Sequence, residues 1–320
     1  MAAADQEEPM DTRQPLDDKA IGLMLVLCFV WSLQQVVLKA TSLDMAPIYQ
    51  MGVRSGVAAV LVALLMRWRG ERLSRHDGTW RPGLVVALLF GFEFLLIGEG
   101  LRHTSASHMV VFLYTAPIFA ALGLHWRLPA ERLVAVQWLG IMLAFTGVAI
   151  AFLGRSQGAT GSSLWGDFLG LMAGAAWGAT TVVVRCTRLS RAPATQTLLY
   201  QLLGAFVLLL GATVASGQTH FNPTPAIWAS LVFQILVVSF ASFLTWFWLL
   251  RTYLASRLGV FSFLTPLFGV VMGAVLLDEV IEPAFVLGSI PVLVGIVLVS
   301  GHGWLASLLA RVGRKRKQAA

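Results

Sequence analysis

The chain has 320 residues, of which 57% are hydrophobic and only 12% are charged, and its formal net charge is +7. Soluble domains carry about 25% charged residues, so this composition excludes an ordinary soluble domain. The apolar residues fall in blocks of about twenty, the length that crosses a bilayer core as a helix. We therefore predict an all-helical membrane protein that crosses the bilayer many times.

The apolar blocks predict ten transmembrane helices. Their predicted ranges are 20–39, 47–66, 82–102, 106–125, 134–153, 164–185, 195–216, 227–250, 257–278 and 283–301. Residues 1–18 are polar and acidic, which predicts a disordered cytoplasmic N-terminus. Residues 304–320 are basic, which predicts a cytoplasmic tail in contact with anionic lipid.

The placement of basic residues predicts the orientation of the chain. Of the 23 lysine and arginine residues, nineteen fall on one side of the predicted membrane. Lys39, Arg102 and Arg155 fall on the other side, and Arg54 lies within a span. Cytoplasmic loops of membrane proteins carry the excess of lysine and arginine. Both termini are therefore predicted to be cytoplasmic, which agrees with an even number of helices.

A short motif occurs twice in the chain. Residues 106–119 align without a gap with residues 255–268, and six of the fourteen positions are identical, including Pro117 and Pro266. A proline inside a helix removes one hydrogen bond and kinks the helix. The two prolines are therefore candidate hinges.

The duplication divides the chain into two repeats, 19–155 and 160–303. Each repeat holds five predicted spans, and an odd number of spans places two copies in opposite orientations. The loop charges agree, since the loop after the first proline motif holds Arg127 and Arg132, whereas the loop after the second holds acidic residues only. We therefore predict two inverted five-helix repeats.

The first span of each repeat presents a polar face near the middle of the bilayer, because residues three and four positions apart share a helix face. Each face consists of one tryptophan and two hydrogen-bonding side chains: Trp31, Gln34 and Gln35 in the first repeat, and Trp177, Thr180 and Thr181 in the second. Lipid offers such side chains no partner. They are candidates to line a substrate cavity, and contact between helices is the alternative interpretation.

Charged residues within the spans are rare, because each costs about 2.5–3.5 kcal/mol at a helix centre on insertion scales. Arg54 lies in the second span, and Glu93 and Glu99 lie in the third. The rise of the helix places Arg54 at a depth from which it can reach either glutamate. Two interpretations stay open: a structural Arg–Glu pair, or a glutamate that binds an amine or exchanges a proton during transport.

Other residues add to this pattern. Tyr114 and Tyr200 lie deep in their predicted spans, where a buried phenol needs a partner, so they join the candidate cavity lining. His108, at the outer start of the fourth span, is interpreted as a solvated histidine or as a residue at the cavity mouth. The sixth span has a glycine at every fourth position, a stripe that lets another helix approach closely: Gly166, Gly170, Gly174 and Gly178.

Taken in order, these motifs resemble the EamA-type exporters of the drug/metabolite transporter superfamily. The matching features are Trp31 to Lys39, Trp177 to Arg185, Arg54, Ser105 to Phe119, Trp246 to Arg251, Ala255 to Arg257, Leu264 to Phe268, and Asp278 with Glu279. The resemblance covers about residues 20–301. It implies two inverted repeats around a central cavity that opens to alternate sides of the membrane. For YddG-like members it also implies export of aromatic and other amino acids.

The chain departs from the family pattern at two places. Gln201 stands where the first repeat has Arg54, and the third span carries two glutamates where a typical member has apolar or aromatic residues. Gln201 is therefore added to the candidate substrate contacts.

From these features we predict a secondary transporter of the bacterial inner membrane that exports small amphipathic metabolites, with amino acids as the first candidates. An exporter of drugs or cationic compounds is the alternative within transport, and an intramembrane enzyme or a receptor is the alternative outside it. No nucleotide-binding loop, metal site, cofactor or nucleic-acid partner is predicted. The expected partners are the small-molecule substrate and membrane lipid. Both a monomer and a homodimer stay open, and in a homodimer the further partner is a second copy of the chain.

Overall fold

The computed structural model describes residues 17–71, 78–129, 132–153, 164–253, 261–262 and 264–318, without the side chains of residues 247, 250, 251, 300 and 302–318. The acidic segment 1–16, residues 255–260 of the second proline motif, and the side chains of the basic tail lie outside this description.

Helices make up nearly all of the described chain. The helices of the first half are α1 (Asp18–Ala40), α2 (Pro47–Trp68), α3 (Trp80–His103), α4 (Ala106–Leu113), α5 (Ala116–Arg127) and α6 (Ala135–Leu153). Those of the second half are α7 (Leu164–Cys186), α8 (Ala194–Ala215), α9 (Pro225–Val232), α10 (Phe243–Thr252), α11 (Leu264–Leu276) and α12 (Pro283–Gln318). A π-helix, Phe233–Ser242, joins α9 to α10, and a short 3₁₀ helix, Arg188–Arg191, precedes α8.

Local sequence signals begin several of these helices. Asp17 accepts a hydrogen bond from the Ala20 amide, and the side chains of Ser105 and Thr224 cap α4 and α9 in the same way. Such caps satisfy amides that have no partner within the helix. Pro47 and Pro225 lie in first turns, where the missing N–H of proline costs nothing.

Seven helical segments of the described chain are long and apolar enough to cross a membrane: Asp18–Ala40, Pro47–Trp68, Trp80–His103, Ala106–Arg127, Leu164–Cys186, Ala194–Ala215 and Pro225–Trp246. Three further apolar helices are shorter: Ala135–Ala151, Leu264–Leu276 and Pro283–Val299. These segments fall where the apolar blocks of the sequence predict spans. The protein is therefore a helical membrane protein that crosses the bilayer several times.

Three features of the helices differ from a plain reading of the apolar blocks. The fourth span is two helices, because the chain turns at Tyr114 and Thr115 and restarts with Pro117 in the first turn of α5. The eighth span contains the π-helix, a register change that often accompanies functional sites. The last helix continues past the predicted end of its span at residue 301 to Gln318.

Helix α4 lies at the centre of the bundle, and all eight of its residues are buried. It packs against α7, α11 and α1. The predicted glycine stripe of α7 makes this packing possible. A Cβ atom at Gly174 would lie 2.9 Å from the carbonyl oxygen of Leu113, and one at Gly178 would lie 2.9 Å from that of Ala116. The stripe therefore lets α7 lie against the backbone of α4 and α5.

We expect Gly174→Ala to lower the melting temperature of the purified protein. Its Cβ would also lie 2.7 Å from Thr115 Oγ1, and overpacking of this kind costs about 1–3 kcal/mol. The matched control is Gly211→Ala in α8, where a Cβ meets no atom within 4 Å. Alanine is the better helix former by about 1 kcal/mol, so the control should hold or raise the melting temperature. Equal melting temperatures for the two variants would contradict the packing described here.

Candidate functional site

Arg54 is the centre of a polar layer inside the helix bundle. It lies in α2 and is fully buried. Its Nη1 donates to Oε1 of Gln34 at 3.0 Å and to Oε1 of Gln234. Its guanidinium carbon lies 4.7 Å from the ring centroid of Phe94, within the range of a cation–π contact. Helices α1, α2 and α3 and the π-helix therefore meet at one guanidinium group.

A second group of hydrogen bonds between α2 and the eighth span lies one helical turn from this layer. Gln50 precedes Arg54 by four residues, as Ser230 precedes Gln234, so each pair lies on one side of its helix. Ser230 Oγ donates to Oε1 of Gln50 at 3.0 Å, and Gln50 Nε2 donates to the carbonyl oxygen of Met45 at 2.8 Å. The Arg54–Gln234 and Gln50–Ser230 hydrogen bonds together set the register between α2 and the eighth span.

Arg54 and Glu93 both keep unused polar atoms. The Nε and Nη2 groups of Arg54 and the Oε2 atom of Glu93 have no hydrogen-bond partner in the described structure. Glu93 lies on α3, is buried, and directly precedes Phe94, whose ring contacts Arg54. The two side chains form no direct salt bridge among the described residues. An arginine and a glutamate thus share the interior of the bundle without an ion-pair contact among the described residues.

Aromatic rings border this layer. Tyr114, at the break between α4 and α5, packs edge-on against Trp177 of α7 with ring centroids 5.2 Å apart. Tyr114 and Trp177 share one apolar cluster with Phe94, whose ring lies against Arg54. Trp31 of α1 packs edge-on against Trp246 at 5.7 Å. The two tryptophans that the sequence matches between first spans therefore each meet another ring.

The remaining polar residues of the two first spans differ in how they are satisfied. Gln35 is buried, and its Oε1 has no hydrogen-bond partner in the described chain. The hydroxyl groups of Thr180 and Thr181 donate to carbonyl oxygens one turn back in their own helix, at 3.0 and 3.2 Å. Gln34 therefore belongs to the polar layer around Arg54, Gln35 keeps a buried acceptor without a partner among the described residues, and the threonine hydroxyls are already engaged.

Three other predicted site residues are not brought to the layer around Arg54. Glu99 is about one-third exposed and accepts hydrogen bonds from Arg102 at 2.8 Å, with His103 3.1 Å away. Tyr200 lies 3.4 Å from Thr79 Oγ1, near the starts of α3 and α8. Gln201 is partly buried in α8. Of the two glutamates in the third span, the structure thus brings Glu93 to Arg54 and leaves Glu99 at the rim.

The interpretation of His108 as a solvated histidine is wrong. It is buried, and its Nδ1 lies 3.0 Å from Oδ2 of Asp167, which is also buried. Thr104 Oγ1 donates to Asp167 Oδ1 at 2.5 Å. The imidazole ring stacks on Phe285, with centroids 3.7 Å apart. A hydrogen-bonded carboxylate and a stacked ring can hold a histidine in an apolar bundle, so position at a span end does not imply solvation.

The loop after α11 closes the same end of the bundle. The Glu279 carboxylate accepts hydrogen bonds from the Ala106 amide at 2.6 Å and from the Ser107 amide at 3.0 Å. Ser107 Oγ donates to it as well, at 2.5 Å. A Cβ at Gly273 would collide with Ser107 Oγ and with this carboxylate. Asp278 precedes it with φ of 52°, a left-handed conformation that aspartate tolerates.

Lys39 adds a third contact here. Its Nζ donates to the carbonyl oxygens of Leu101 and Thr104 at 2.6 and 2.9 Å, where the end of α3 leaves carbonyl groups without helical partners. We call this end the Glu279 end. It is held by the side chains of Lys39, Thr104, Ser107, His108, Asp167 and Glu279.

The opposite end, which we call the Tyr253 end, is held by other contacts. The Tyr253 hydroxyl donates to both carboxylate oxygens of Asp17 at 2.9 Å, which ties the start of α1 to the end of α10. Thr195 Oγ1 donates to Glu71, and Gln196 Nε2 donates to Thr79 Oγ1 at 2.8 Å. These bonds tie the start of α8 to α2 and α3.

The sequence reasoning missed two partners of the site. Gln234 is a single amide in an apolar span, and the argument that flags Gln34 also applies to it. Asp167 and His108 both lie near the same predicted membrane surface, but spacing along the chain does not indicate that they meet. Equal depth of polar residues in different spans is the sequence signal that indicates both contacts.

The family of the protein follows from comparison with known proteins. The model of the EamA-like transporter family matches residues 18–153 and 164–301. The chain therefore belongs to the EamA-like transporter family, as the motifs of the sequence predict. The two matched segments correspond closely to the two predicted repeats.

Similar proteins extend over nearly the whole chain. The uncharacterized transporter YoaV of Bacillus subtilis is 23% identical over 280 residues, which cover 87% of this chain and 95% of YoaV. The uncharacterized transporter YvbV of the same organism is 25% identical over 302 residues, covering 93% of this chain and 96% of YvbV. A solved crystal structure covers 92% of this chain and 99% of its own at 19% identity, and its TM-score of 0.62 shows the same fold.

We expect Tyr253→Phe to weaken the fold at neutral pH but less so in acid. The Ala20 amide and the Tyr253 hydroxyl donate to Asp17 and lower the pKa of that carboxyl below 3.8. A lowered folded-state pKa stabilises the fold above the unfolded pKa, and this stabilisation is lost as the pH falls through the folded pKa. The melting-temperature difference from wild type should therefore be largest at neutral pH and shrink toward pH 3 and below. Tyr49→Phe, which removes a hydroxyl without a described hydrogen bond, is the control.

Proposed function

We propose that the protein is a secondary transporter that exports small amphipathic metabolites, amino acids first among them, by alternating access. The observation that carries this proposal is the incompletely satisfied polar layer around Arg54. A purely structural layer gains most when its polar groups satisfy each other. Here the buried side chains of Arg54, Glu93 and Gln35 retain donors and acceptors without partners, which suits a site that a solute completes.

The packing of the helices supports ten spans in two inverted repeats. Equivalent spans pair across the bundle: α2 with α8, α6 with α12, and α4 with α11. Contacts between non-equivalent spans also occur in matched pairs. The third span of the first repeat, α3, packs against the first span of the second, α7. In the same way, the third span of the second repeat packs through its π-helix against the first span of the first, α1. A twofold relation between copies of five spans produces this pattern. Pro117 and Pro266 are the proposed hinges of the two copies.

The contacts at the two ends support alternating access. The Glu279 end joins α1, α3 and α4 of the first half to α7 and the α11–α12 loop of the second. Its bonds are few, polar and made by side chains, so they can separate and re-form. Opening this end requires Glu279 to leave the start of α4. We take it as the outer end, with both chain termini in the cytoplasm and the protein in the inner membrane.

Charge placement and a relative support this location. The Glu279 end gathers Asp44, Glu99, Asp167 and Glu279, whereas most lysines and arginines lie in loops of the other side. Cytoplasmic loops carry the basic excess. The uncharacterized inner membrane transporter YedA of Escherichia coli is 23% identical over 288 residues, covering 87% of this chain and 90% of YedA.

One observation favours an exporter of cationic compounds as a second candidate. Glu93 is a buried carboxylate whose Oε2 has no hydrogen-bond partner in the described structure, and such a group can bind an amine. Counterflow into proteoliposomes with labelled amino acids and labelled organic cations separates the two candidates. Absence of flux across both panels would overturn the assignment as a transporter of these solutes.

We expect Glu93→Gln to reduce the counterflow of the transported solute into proteoliposomes at least tenfold. The change keeps the shape of the side chain but replaces the acidic group, whose Oε2 has no partner in the described structure, by an amide, and one charge-assisted hydrogen bond contributes about 1.5–3 kcal/mol. Glu99→Gln is the control of identical chemistry, because Glu99 is bound to Arg102 at the rim. Its flux should stay within about twofold of wild type. A comparable loss in both variants would contradict the choice of Glu93.

We expect Glu279→Gln to open the Glu279 end more often. The amide replaces one acceptor oxygen by a donor that faces the Ala106 and Ser107 amides, and loss of a helix cap costs about 0.5–2 kcal/mol. The measurement is the rate at which a water-soluble maleimide labels Val110→Cys, which is buried in α4, in a protein with Cys28→Ala and Cys186→Ala. The rate should rise about tenfold.

A second reporter distinguishes opening from general loosening. Leu198→Cys is buried in α8 near the Tyr253 end. Under alternating access its labelling rate should stay constant or fall when Glu279 is changed to Gln. If both reporters react faster, or if neither does, Glu279 does not act as a closure of one end.

A further inference from the structure

The charged groups of the polar layer have a specific geometry. Arg54 uses one nitrogen, Nη1, for Gln34 and Gln234. Its remaining donors, Nε and Nη2, form one edge of the planar guanidinium group and have no partner in the described structure. This edge is the one that binds a carboxylate through two parallel hydrogen bonds. The two glutamine contacts and the Phe94 ring hold the group in one orientation.

Glu93 provides the complementary group. It precedes Phe94 on α3, so the same turn of helix supplies the ring that contacts Arg54 and a carboxylate of opposite charge. Its Oε2 has no hydrogen-bond partner, and no lysine or arginine of the described chain forms a salt bridge with it. Burial of two ions in a bundle is costly unless each is paired and hydrogen-bonded. In the described structure the two side chains form no ion pair with each other, so each keeps polar atoms that a ligand can engage.

We propose that Arg54 and Glu93 together bind a zwitterion, the carboxylate of the ligand on the Nε–Nη2 edge of Arg54 and its ammonium group on Glu93. This assignment rests on the proposed function for its site and specifies the ligand class: solutes that carry one anionic and one cationic group a few ångströms apart. Tyr114 and Trp177 pack on each other and belong to the same apolar cluster as Phe94, and we assign them the apolar surface for the rest of the ligand. The charges of protein and ligand then cancel in pairs, which reduces the cost of burying all four.

Three probes with the same phenyl side chain test the assignment. Phenylalanine carries both charges, phenethylamine lacks the carboxylate, and 3-phenylpropanoate lacks the ammonium group. We measure their binding to the purified full-length protein in detergent by the shift of its melting temperature with ligand concentration. Wild type should bind phenylalanine about ten to one hundred times more tightly than either single-charge probe.

The variants should remove this preference one charge at a time. Arg54→Gln should reduce phenylalanine affinity to that of phenethylamine, and Glu93→Gln should reduce it to that of 3-phenylpropanoate. Arg102→Gln and Glu99→Gln remove the same residue types from an ion pair at the rim and should leave all three affinities unchanged. If Arg54→Gln does not fold, Arg54→Lys keeps the charge but loses the two-pronged edge and should weaken phenylalanine more than phenethylamine.

The outcomes separate this inference from the proposed function. Equal binding of phenylalanine and phenethylamine in wild type would overturn it and favour a cation site on Glu93. Variants that lower the melting temperature without changing the relative affinities of the probes would also overturn it, because a structural pair would behave in that way. Selective zwitterion binding without flux would support the binding assignment and contradict transport. Flux without a preference for zwitterions would support transport and contradict the binding assignment.

Discussion

A guanidinium group cannot leave its donors to lipid, because the hydrocarbon offers no acceptor and each unsatisfied group costs several kcal/mol. Arg54 is fully buried, so the protein itself must supply what lipid cannot. Gln34 and Gln234 reach it from two other helices, and Phe94 reaches it from a third. The partners of one guanidinium nitrogen and the ring on its face therefore bring four elements to one point, which gives Gln34 and Gln234 a role within largely apolar helices.

The same constraint acts at the Glu279 end with a different solution. Helices that stop inside the bundle leave amides and carbonyl groups without partners, and Glu279 and Lys39 provide the missing acceptor and donor. A cation on carbonyl groups at the end of α3 and an anion on amides at the start of α4 both agree with the helix dipole. These charged groups therefore close the end of the bundle, and water can solvate them when the end opens. A fully apolar closure could not be solvated in this way.

How far the sequence predicts this molecule depends on the level of structure. The boundaries of α2, α3 and α7 are predicted to within about two residues, because a bilayer sets the length of an apolar helix. Arg54 and Glu93 are also found from the sequence, since ions in apolar spans are rare. Their partners are not, because a buried ion requires a partner but the spacing along the chain does not identify it. His108 meets Asp167 across 59 residues, and the partners of Glu99 among the described residues are its own helix neighbours and Gln218.

Helix α4 connects the two polar regions. Its first residues, Ala106 and Ser107, bind Glu279, and the chain reaches Tyr114, which packs on Trp177, about two turns of helix later. The break at Tyr114 and Thr115 separates this short segment from α5, so α4 can shift without bending a full-length helix. A ligand that contacts Tyr114 therefore acts on the end of the same short segment whose start forms the closure. In the proposed transport cycle, that shared segment is the physical route by which binding at the centre biases opening at the end.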